Sequence, residues 1–92
     1  MVVTAPLPLG RVVATPGALE TILGAGGDPF AYVARHASGD WGDLCAHDRH
    51  ENKIALRDGY RVFSSYEVGE GRVWVITEAD RSVTTILLPE EY

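Results

Sequence analysis

Cysteine is almost absent from this 92-residue sequence, in which Cys45 stands alone. A single cysteine excludes an intramolecular disulfide and a multi-cysteine zinc site, and it suits a reducing compartment. Long apolar runs are also missing, because Pro6 and Pro8 interrupt the hydrophobic N-terminal residues and no basic residue precedes them. The sequence therefore predicts neither a signal peptide nor a membrane helix, and we expect a cytoplasmic protein that binds no membrane.

Basic residues are few, with eight Lys and Arg against thirteen Asp and Glu, for a net charge of -5. This balance argues against direct nucleic-acid binding, which needs a clustered basic surface. Residues 1–39 are electrically balanced, so the whole acidic excess lies in residues 40–92. That segment is either a face that docks on a basic partner, such as a DNA-binding protein, or an ordinary solubilising surface.

Several motifs of cofactor and nucleophile chemistry are missing. The glycines of residues 24–27 are not part of a strand-to-helix Gly-x-Gly-x-x-Gly and are not followed by Lys-Ser/Thr, so no phosphate-binding loop is predicted. There is no Gly-x-Ser-x-Gly elbow, and nothing identifies Cys45 as a catalytic thiol. We therefore expect no cofactor.

Length and composition predict a single globular domain over residues 1–92. The chain has a mass of 10.0 kDa, 46% hydrophobic residues and 23% charged residues. A chain of this size buries only about 60–65% of the surface that its unfolded form exposes. Its stability margin should be thin, which leaves a homodimer open.

Local signals predict short helices in the first two thirds of the chain. Thr15-Pro16 and Asp28-Pro29 each combine an N-cap with proline at the first helical position. A third helix is predicted over residues 44–57, with Asp43 as its cap. In the second helix, the spacing predicts an apolar stripe that leaves Tyr32, Arg35 and His36 outside it; its members are Phe30, Val33, Ala34 and Ala37.

Alternating residues predict strands in the last third. Strands are expected over residues 60–68, 72–77 and 82–88, with a hairpin turn at 69–71 and a short further strand over 11–14. The fold class is therefore α+β, with two to three short helices packed on a three- to four-stranded antiparallel β-meander.

A dense polar cluster between residues 36 and 52 raises the question of a metal site. His47 and His50 are three residues apart on a helix, and His36 or Asp40 could join them. The spacing does not match His-Glu-x-x-His, and surface histidines are common in charged helices, so no metal site is predicted.

Asp48 and Asn52 share a partly apolar face of the third helix. Polar groups turned toward a core must be hydrogen-bonded, so we predict that this pair holds the turn at residues 39–43 or reaches the sheet. The alternative is a functional role, because buried carboxylates also concentrate in active sites.

Hydroxyl, acidic and basic residues near the sheet raise the possibility of catalysis. A metal-independent ribonuclease needs a proton carrier and a cation for the phosphate, and His36 with Arg61 or Arg81 would supply them. The candidate catalytic set is His36, Arg61, Asp80, Arg81 and Thr84. Against this, Ser and Thr are ordinary strand residues, and Asp80-Arg81 is ordinary turn chemistry.

Several blocks of the chain stand out together, namely Arg35–Gly42, Asp48, Asn52, Gly59–Tyr66, Trp74–Glu78 and Asp80–Tyr92. They resemble a family of small bacterial "plasmid-related" proteins carried on plasmids and integrated mobile elements. The resemblance covers nearly the whole chain.

The resemblance implies an accessory protein of mobile DNA and supplies no catalytic residue. In that setting small acidic proteins often inhibit host defence systems of the restriction or CRISPR type, which is an analogy of context. The order of helices followed by a sheet is also similar to that of barnase-like and toxin ribonucleases, from which no residue is carried over.

The preferred hypothesis is a non-enzymatic protein with a protein partner. It places carboxylates beside exposed aromatic rings in the segment that carries the acidic excess. The candidate binding residues are Asp40, Trp41, Asp43, Tyr66, Trp74 and Glu78. The alternative is a small metal-independent hydrolase or ribonuclease of barnase-like layout.

Overall fold

A computed structural model describes residues 7–92 of the chain. Three α-helices and four β-strands make up its regular structure, which is of the α+β class. The elements in chain order are β1 (Arg11–Ala14), α1 (Pro16–Gly24), α2 (Pro29–Ala37), α3 (Ala46–Asp58), β2 (Val62–Val68), β3 (Gly71–Thr77), β4 (Val83–Leu87) and a 3-10 turn (Pro89–Glu91).

The first two helices begin where their capping residues predict. Thr15 Oγ1 accepts a hydrogen bond from the Ala18 N–H at 3.1 Å, and Asp28 Oδ1 accepts one from the Phe30 N–H at 3.0 Å. The predicted cap of the third helix is wrong. Helix α3 begins at Ala46, and the side chain of the preceding Cys45 makes no capping hydrogen bond. Asp43 does not cap the helix, because its backbone N–H is bonded to the Ser65 carbonyl of β2.

The sheet has the strand order β1-β4-β3-β2. Strands β2, β3 and β4 form the predicted antiparallel meander, but β1 runs parallel to β4, so the sheet is mixed and the prediction of a purely antiparallel sheet is wrong. The physical reason lies in chain order. Strand β1 precedes the helices, and the chain crosses one face of the sheet before it forms β2 at the far edge, so β1 pairs with the last strand rather than in a hairpin.

All three helices lie on one side of the sheet, which we call the helix face; the other side is the open face. Alternation along the strands divides the side chains between the two. The main core lies on the helix face and joins α1 and α2 to the sheet; its buried members are Ala18, Ile22, Val33, Tyr66, Val68, Val73, Val75 and Ile86. Paired residues on the open face are Phe63, Ser65, Trp74, Ile76, Thr85 and Leu87.

The apolar stripe predicted for α2 is wrong. Val33 is buried, but Phe30 is 75% exposed and His36 is only 1% exposed. The helix turns His36 inward because the sheet offers hydroxyl partners for both ring nitrogens, and a satisfied polar group is tolerated in a core.

The outer edge of β2 is covered rather than free. The side-chain amide of Asn52 donates to the Phe63 carbonyl at 2.6 Å and accepts from the Phe63 N–H at 3.1 Å. Two residues further along β2, the Ser65 N–H donates to the Trp41 carbonyl and the Asp43 N–H donates to the Ser65 carbonyl. Asn52 thus takes the place of a neighbouring strand's peptide group, and residues 41–43 continue the cover.

Within residues 7–92, no helix combines the length and the apolar character needed to cross a membrane.

Candidate functional site

His36 is the centre of a buried chain of hydrogen bonds between α2 and three strands. Its Nδ1 lies 2.5 Å from Ser64 Oγ, and its Nε2 lies 2.9 Å from Thr77 Oγ1. Thr77 Oγ1 lies 2.7 Å from Thr84 Oγ1, which donates to the Leu9 carbonyl at 2.8 Å. The four side chains are each at most 1% exposed.

The number of protons along this chain fixes the direction of every bond. Thr84 donates its one hydroxyl proton to the Leu9 carbonyl, so Thr77 must donate to Thr84. Thr77 then has no proton left for His36, so His36 Nε2 carries the hydrogen and donates it. The remaining nitrogen, Nδ1, accepts the proton of Ser64, and the network is complete with a neutral imidazole.

The surroundings keep His36 neutral. Burial lowers the pKa of His36 from its ordinary value of 6.5 to about 4. A proton carrier in hydrolysis needs a pKa near the working pH and a position that substrate can reach, whereas the pKa of His36 is about 4 and the residue is 1% exposed. The network therefore fastens α2 to the sheet.

The other candidate catalytic residues do not join His36 and Thr84. Arg61 lies at the open face, where it lines a groove, on the side opposite His36. Arg81 lies in the turn before β4, and its guanidinium donates to three backbone carbonyls, those of Ala55, Tyr60 and Glu78. Asp80 is exposed and accepts from the Ser82 N–H in the same turn. Hydrogen bonding with the Ser82 hydroxyl and with its backbone N–H lowers the Asp80 pKa.

The polar pair of α3 separates into two environments. Asn52 is 3% exposed and reaches the sheet edge, whereas Asp48 is half-buried and makes no side-chain hydrogen bond within residues 7–92. His47 and His50 lie on the exposed surface of the same helix, and His47 is near Glu51. Among residues 7–92, no three His, Cys, Asp or Glu side chains come together in a way that could hold a metal ion.

Two of the three aromatic residues predicted to be exposed are in the core. Trp41 is 7% exposed, and Tyr66 is 1% exposed and donates its hydroxyl to the Asp40 carbonyl at 2.6 Å. Burial raises the pKa of Tyr66 to about 12. The exposed-patch prediction is therefore wrong for Trp41 and Tyr66. Tyr66 belongs to the main core, and Trp41 packs in a second buried cluster with Leu7, Ala55 and Val62.

The predicted acidic residues around that turn are engaged with arginines. Asp40 accepts from Arg35 Nε at 2.6 Å, a bond that lowers the Asp40 pKa, and the Arg35 guanidinium lies 4.5 Å from the centre of the Tyr66 ring. Asp43 lies 3.4 Å from Arg72 on the surface. Both carboxylates stay on the surface despite these contacts, because the side chains of Asp40 and Asp43 are 51% and 59% exposed.

Trp74 is the predicted aromatic residue that the structure leaves on the surface. It is half-buried and lies on the open face with Phe63, whose ring meets it edge-on at 4.9 Å. The ring of Tyr92 packs against its other side at 5.7 Å. With Arg61 and Ile76, these residues line a shallow recess of about 240 Å³, which we call the aromatic groove.

Polar groups border the aromatic groove at one end. Arg61 donates to the Tyr92 hydroxyl at 2.8 Å and to Glu78 Oε1 at 3.1 Å. Glu78 is thus the predicted acidic residue that lies beside the groove, and its charge is balanced by Arg61. The wall residues themselves are apolar, so the site combines an aromatic floor with hydrogen-bonding groups at its rim.

Sequence reasoning missed Phe63, Ile76 and Tyr92 as members of this site. Alternation correctly places Arg61 and Phe63 on the same side of the sheet, where both line the groove, and this was a usable signal. The antiparallel register that sets Phe63 opposite Ile76 was not readable from the sequence, and neither was the return of Tyr92 onto Trp74 after the 3-10 turn.

Comparison of the chain with protein-family models, with curated proteins and with solved structures finds no match.

Proposed function

We propose that this protein is a non-enzymatic binding protein and that the aromatic groove of the open face is its contact site. The observation that carries the proposal is the exposure of an aromatic recess on a sheet face that the helices do not cover. Aromatic rings and arginine are the residue types most enriched at the energetic centres of protein interfaces.

The alternative function, a small hydrolase or ribonuclease, has less support. The imidazole of His36 lies inside the helix face, whereas Arg61 belongs to the open face. The guanidinium of Arg81 is already bonded to three backbone carbonyls. A general base and a phosphate-binding cation must reach the same substrate, so this arrangement favours binding over catalysis.

The resemblance to plasmid-related proteins suggests a narrower form of the proposal. In that form the protein is an accessory of a mobile genetic element, and its partner belongs to a host defence system. This narrower form rests on the sequence blocks and on the acidic excess of residues 40–92, not on the groove.

Affinity capture from host-cell extract tests the proposed function with three baits: the wild-type chain, Tyr92→Ala and Phe30→Ala. Tyr92 forms one wall of the aromatic groove and is 71% exposed, so its removal damages the site without opening the core. Phe30 is 75% exposed on α2, on the other side of the sheet, and is the matched control.

We expect a partner that the wild type and Phe30→Ala retain equally and that Tyr92→Ala loses by at least about tenfold. Equal capture by all three baits would show that the groove is not the contact site. An inert monomer that captures nothing at any bait concentration would end the binding proposal as a whole.

A further inference from the structure

We infer that two copies of this chain pair through β1, as antiparallel neighbours in one continuous sheet. Strand β1 stands at one end of the strand order β1-β4-β3-β2, and within residues 7–92 it has a neighbour on one side only. The strand at the other end, β2, is covered by Asn52 and residues 41–43. The two edges of the sheet therefore differ, and β1 is the one that the described residues leave uncovered.

The backbone of β1 faces β4 at every second residue. The N–H groups of Arg11 and Thr15 donate to carbonyls on the β4 side at 3.0 and 2.9 Å. Since backbone groups alternate between the two sides of a strand, Val12 and Ala14 direct their N–H and C=O groups away from β4. No turn, loop or side chain of residues 7–92 bonds to these outward groups, and Val12 is 39% exposed.

The residues that flank β1 select one register for the pairing. In an antiparallel pair, two opposed residues that face each other exchange both of their hydrogen bonds. If Val13 of one copy lies opposite Val13 of the other, each Val12 faces an Ala14 and every outward group is bonded. A shift toward Gly10 loses bonds because its φ of +64° leaves the extended conformation, and a shift toward Pro16 loses bonds because proline has no N–H.

The same register sets apolar side chains against each other. Val12 and Ala14 belong to the helix face, since their partners in β4 are Thr84 and Ile86. Across the new pair, the exposed Val12 of each copy lies opposite Ala14 of the other. On the open face the two Val13 side chains meet at the two-fold axis. Cross-strand neighbours of this kind are the unit of stabilisation in an antiparallel sheet.

Charge adds a contact that a second copy supplies. Arg11 is exposed and forms no ion pair or side-chain hydrogen bond within residues 7–92. In this register it lies opposite Thr15 of the other copy, whose hydroxyl donates to the Glu91 carboxylate at 2.7 Å. Symmetry repeats this approach of Arg11 and Glu91 on both sides of the axis. Mutual repulsion is limited at this edge, because residues 1–39 carry no net charge.

An extended segment of another protein could bond to the same backbone groups. It would also need an apolar residue opposite Val12 and a carboxylate near Arg11, both of which a second copy brings by symmetry. The four residues of β1 are few beside the roughly 20–30 residues on each side of a standard interface. We therefore expect a weak dimer, with a dissociation constant on the order of 10–100 µM.

The assembly is closed, because the same edge is used by both copies and none of it remains for a third. The two-fold axis runs through the sheet, so both open faces lie on one side of it. The dimer then carries two aromatic grooves on the same side. Its formation does not depend on the function proposed for the groove.

Sedimentation velocity of the full chain from about 5 µM to about 1 mM tests for the dimer. Val12→Pro removes an outward N–H, and proline is tolerated where the N–H of an edge strand faces solvent. We expect Val12→Pro to weaken the dimer at least about tenfold. Val12→Thr is the matched control, because it keeps the N–H and the β-branched shape, and it should dimerise within about twofold of the wild type.

Two charge variants test the register without removing a backbone group. Arg11→Glu and Glu91→Arg each place like charges opposite one another in their own dimers, so each should dimerise about five- to tenfold more weakly than the wild type. An equimolar mixture places opposite charges at both sites. The mixed dimer should return to within about threefold of the wild-type affinity, and this recovery also shows that both variants fold.

Amide hydrogen exchange of the wild type reads the register and needs no variant. We expect the exchange of the Val12 and Ala14 amides to slow as the protein concentration rises through the dissociation constant, because these groups are bonded only in the dimer. The Val13 amide faces β4 in both states, so its exchange rate should change far less and is the internal control.

Five results would overturn the inference. They are a monomer at about 1 mM, Val12 and Ala14 amides that exchange at the same rate at every concentration, undiminished dimerisation of Val12→Pro, a mixture of charge variants that dimerises no better than either alone, and loss of the dimer in Tyr92→Ala, which would place the contact at the groove. Capture of a partner through Tyr92 depends on none of the first four, so the dimer and the proposed function can fail separately.

Discussion

Protonation of His36 should destabilise this protein well above the pH at which its carboxylates are neutralised. The ring is buried against Ser64 and Thr77, and neither partner carries a charge. In the neutral ring Nδ1 accepts the hydroxyl hydrogen of Ser64. A proton added to Nδ1 therefore forces that hydrogen to turn away and places a positive charge in the core. The folded state therefore resists protonation that the unfolded chain accepts readily.

The sign and size follow from the two pKa values of His36. The folded value is about 4 and the ordinary value is 6.5, so the contribution to stability is complete above pH 6.5 and is lost as the pH falls toward 4. One pKa unit corresponds to about 1.4 kcal/mol, so the loss between pH 7.5 and pH 4.5 is about 2–3 kcal/mol. A domain of this length has a total stability of roughly 5–14 kcal/mol, so the loss is a large fraction of it.

Urea unfolding followed by tryptophan fluorescence at half-unit steps from pH 7.5 to pH 4.5 measures this loss. His36→Gln is the control, because its amide is neutral at every pH. Asp40, Asp80 and Glu91 have lowered pKa values and weaken the fold only when the pH falls through those values, and they do so equally in both proteins. The difference between the two proteins in how the free energy of unfolding changes with pH gives the contribution of His36. This difference does not depend on how much the substitution itself destabilises the protein.

A wild-type profile that is flat from pH 7.5 to 4.5, or one that matches His36→Gln, would refute this account. Long-range ¹H–¹⁵N spectra of the imidazole provide a second check that does not depend on the variant folding. At neutral pH they should show the ring hydrogen on Nε2, and the imidazole should titrate with a midpoint near pH 4. A neutral ring with its hydrogen on Nδ1 would contradict the hydrogen-bond directions of the network.

Three further changes test the fold by urea unfolding at neutral pH. Asn52→Ala removes two hydrogen bonds to the backbone of Phe63 and should cost about 2 kcal/mol, whereas a loss below about 0.5 kcal/mol would mean that water replaces the amide. Gly42→Ala should cost more than Gly26→Ala, since both have positive φ but only at Gly42 does a Cβ meet the β2 backbone; equal losses would rule out the close approach as the cause. Arg81→Gly relieves a φ of +61° worth about 1–2 kcal/mol but removes three bonds to carbonyls, so we expect net destabilisation, and a gain in stability would show that the strain dominates.

Features set by neighbouring residues could be predicted from the sequence. The Thr15-Pro16 and Asp28-Pro29 pairs mark the starts of α1 and α2 because an N-cap acts within three residues. The period of two marks β2 to β4 because alternation is a local property of an extended chain. Strand boundaries were accordingly right to within two residues.

Features set by distant partners could not be predicted. The apolar spacing of α2 placed His36 outward, because its burial depends on Ser64 and Thr77, which lie 28 and 41 residues away. Trp41 was predicted to be exposed, but it is only 7% exposed because it packs against residues from distant parts of the chain, such as Ala55 and Val62. Trp74 could be proposed as a site residue from its residue type and its acidic segment. Its groove neighbours Phe63 and Ile76 could not be predicted, because their positions depend on the register of β3 against β2.

The amide of Asn52 has a consequence for solubility as well as for stability. A strand edge with free N–H and C=O groups is a template on which further chains can add, and edge-to-edge growth is a common route to aggregation. Asn52 occupies the groups of Phe63 that such a chain would need first. Asn52 and residues 41–43 together thus occupy backbone groups of Phe63 and Ser65 at this edge, and we expect them to hinder the pairing of a further chain with β2.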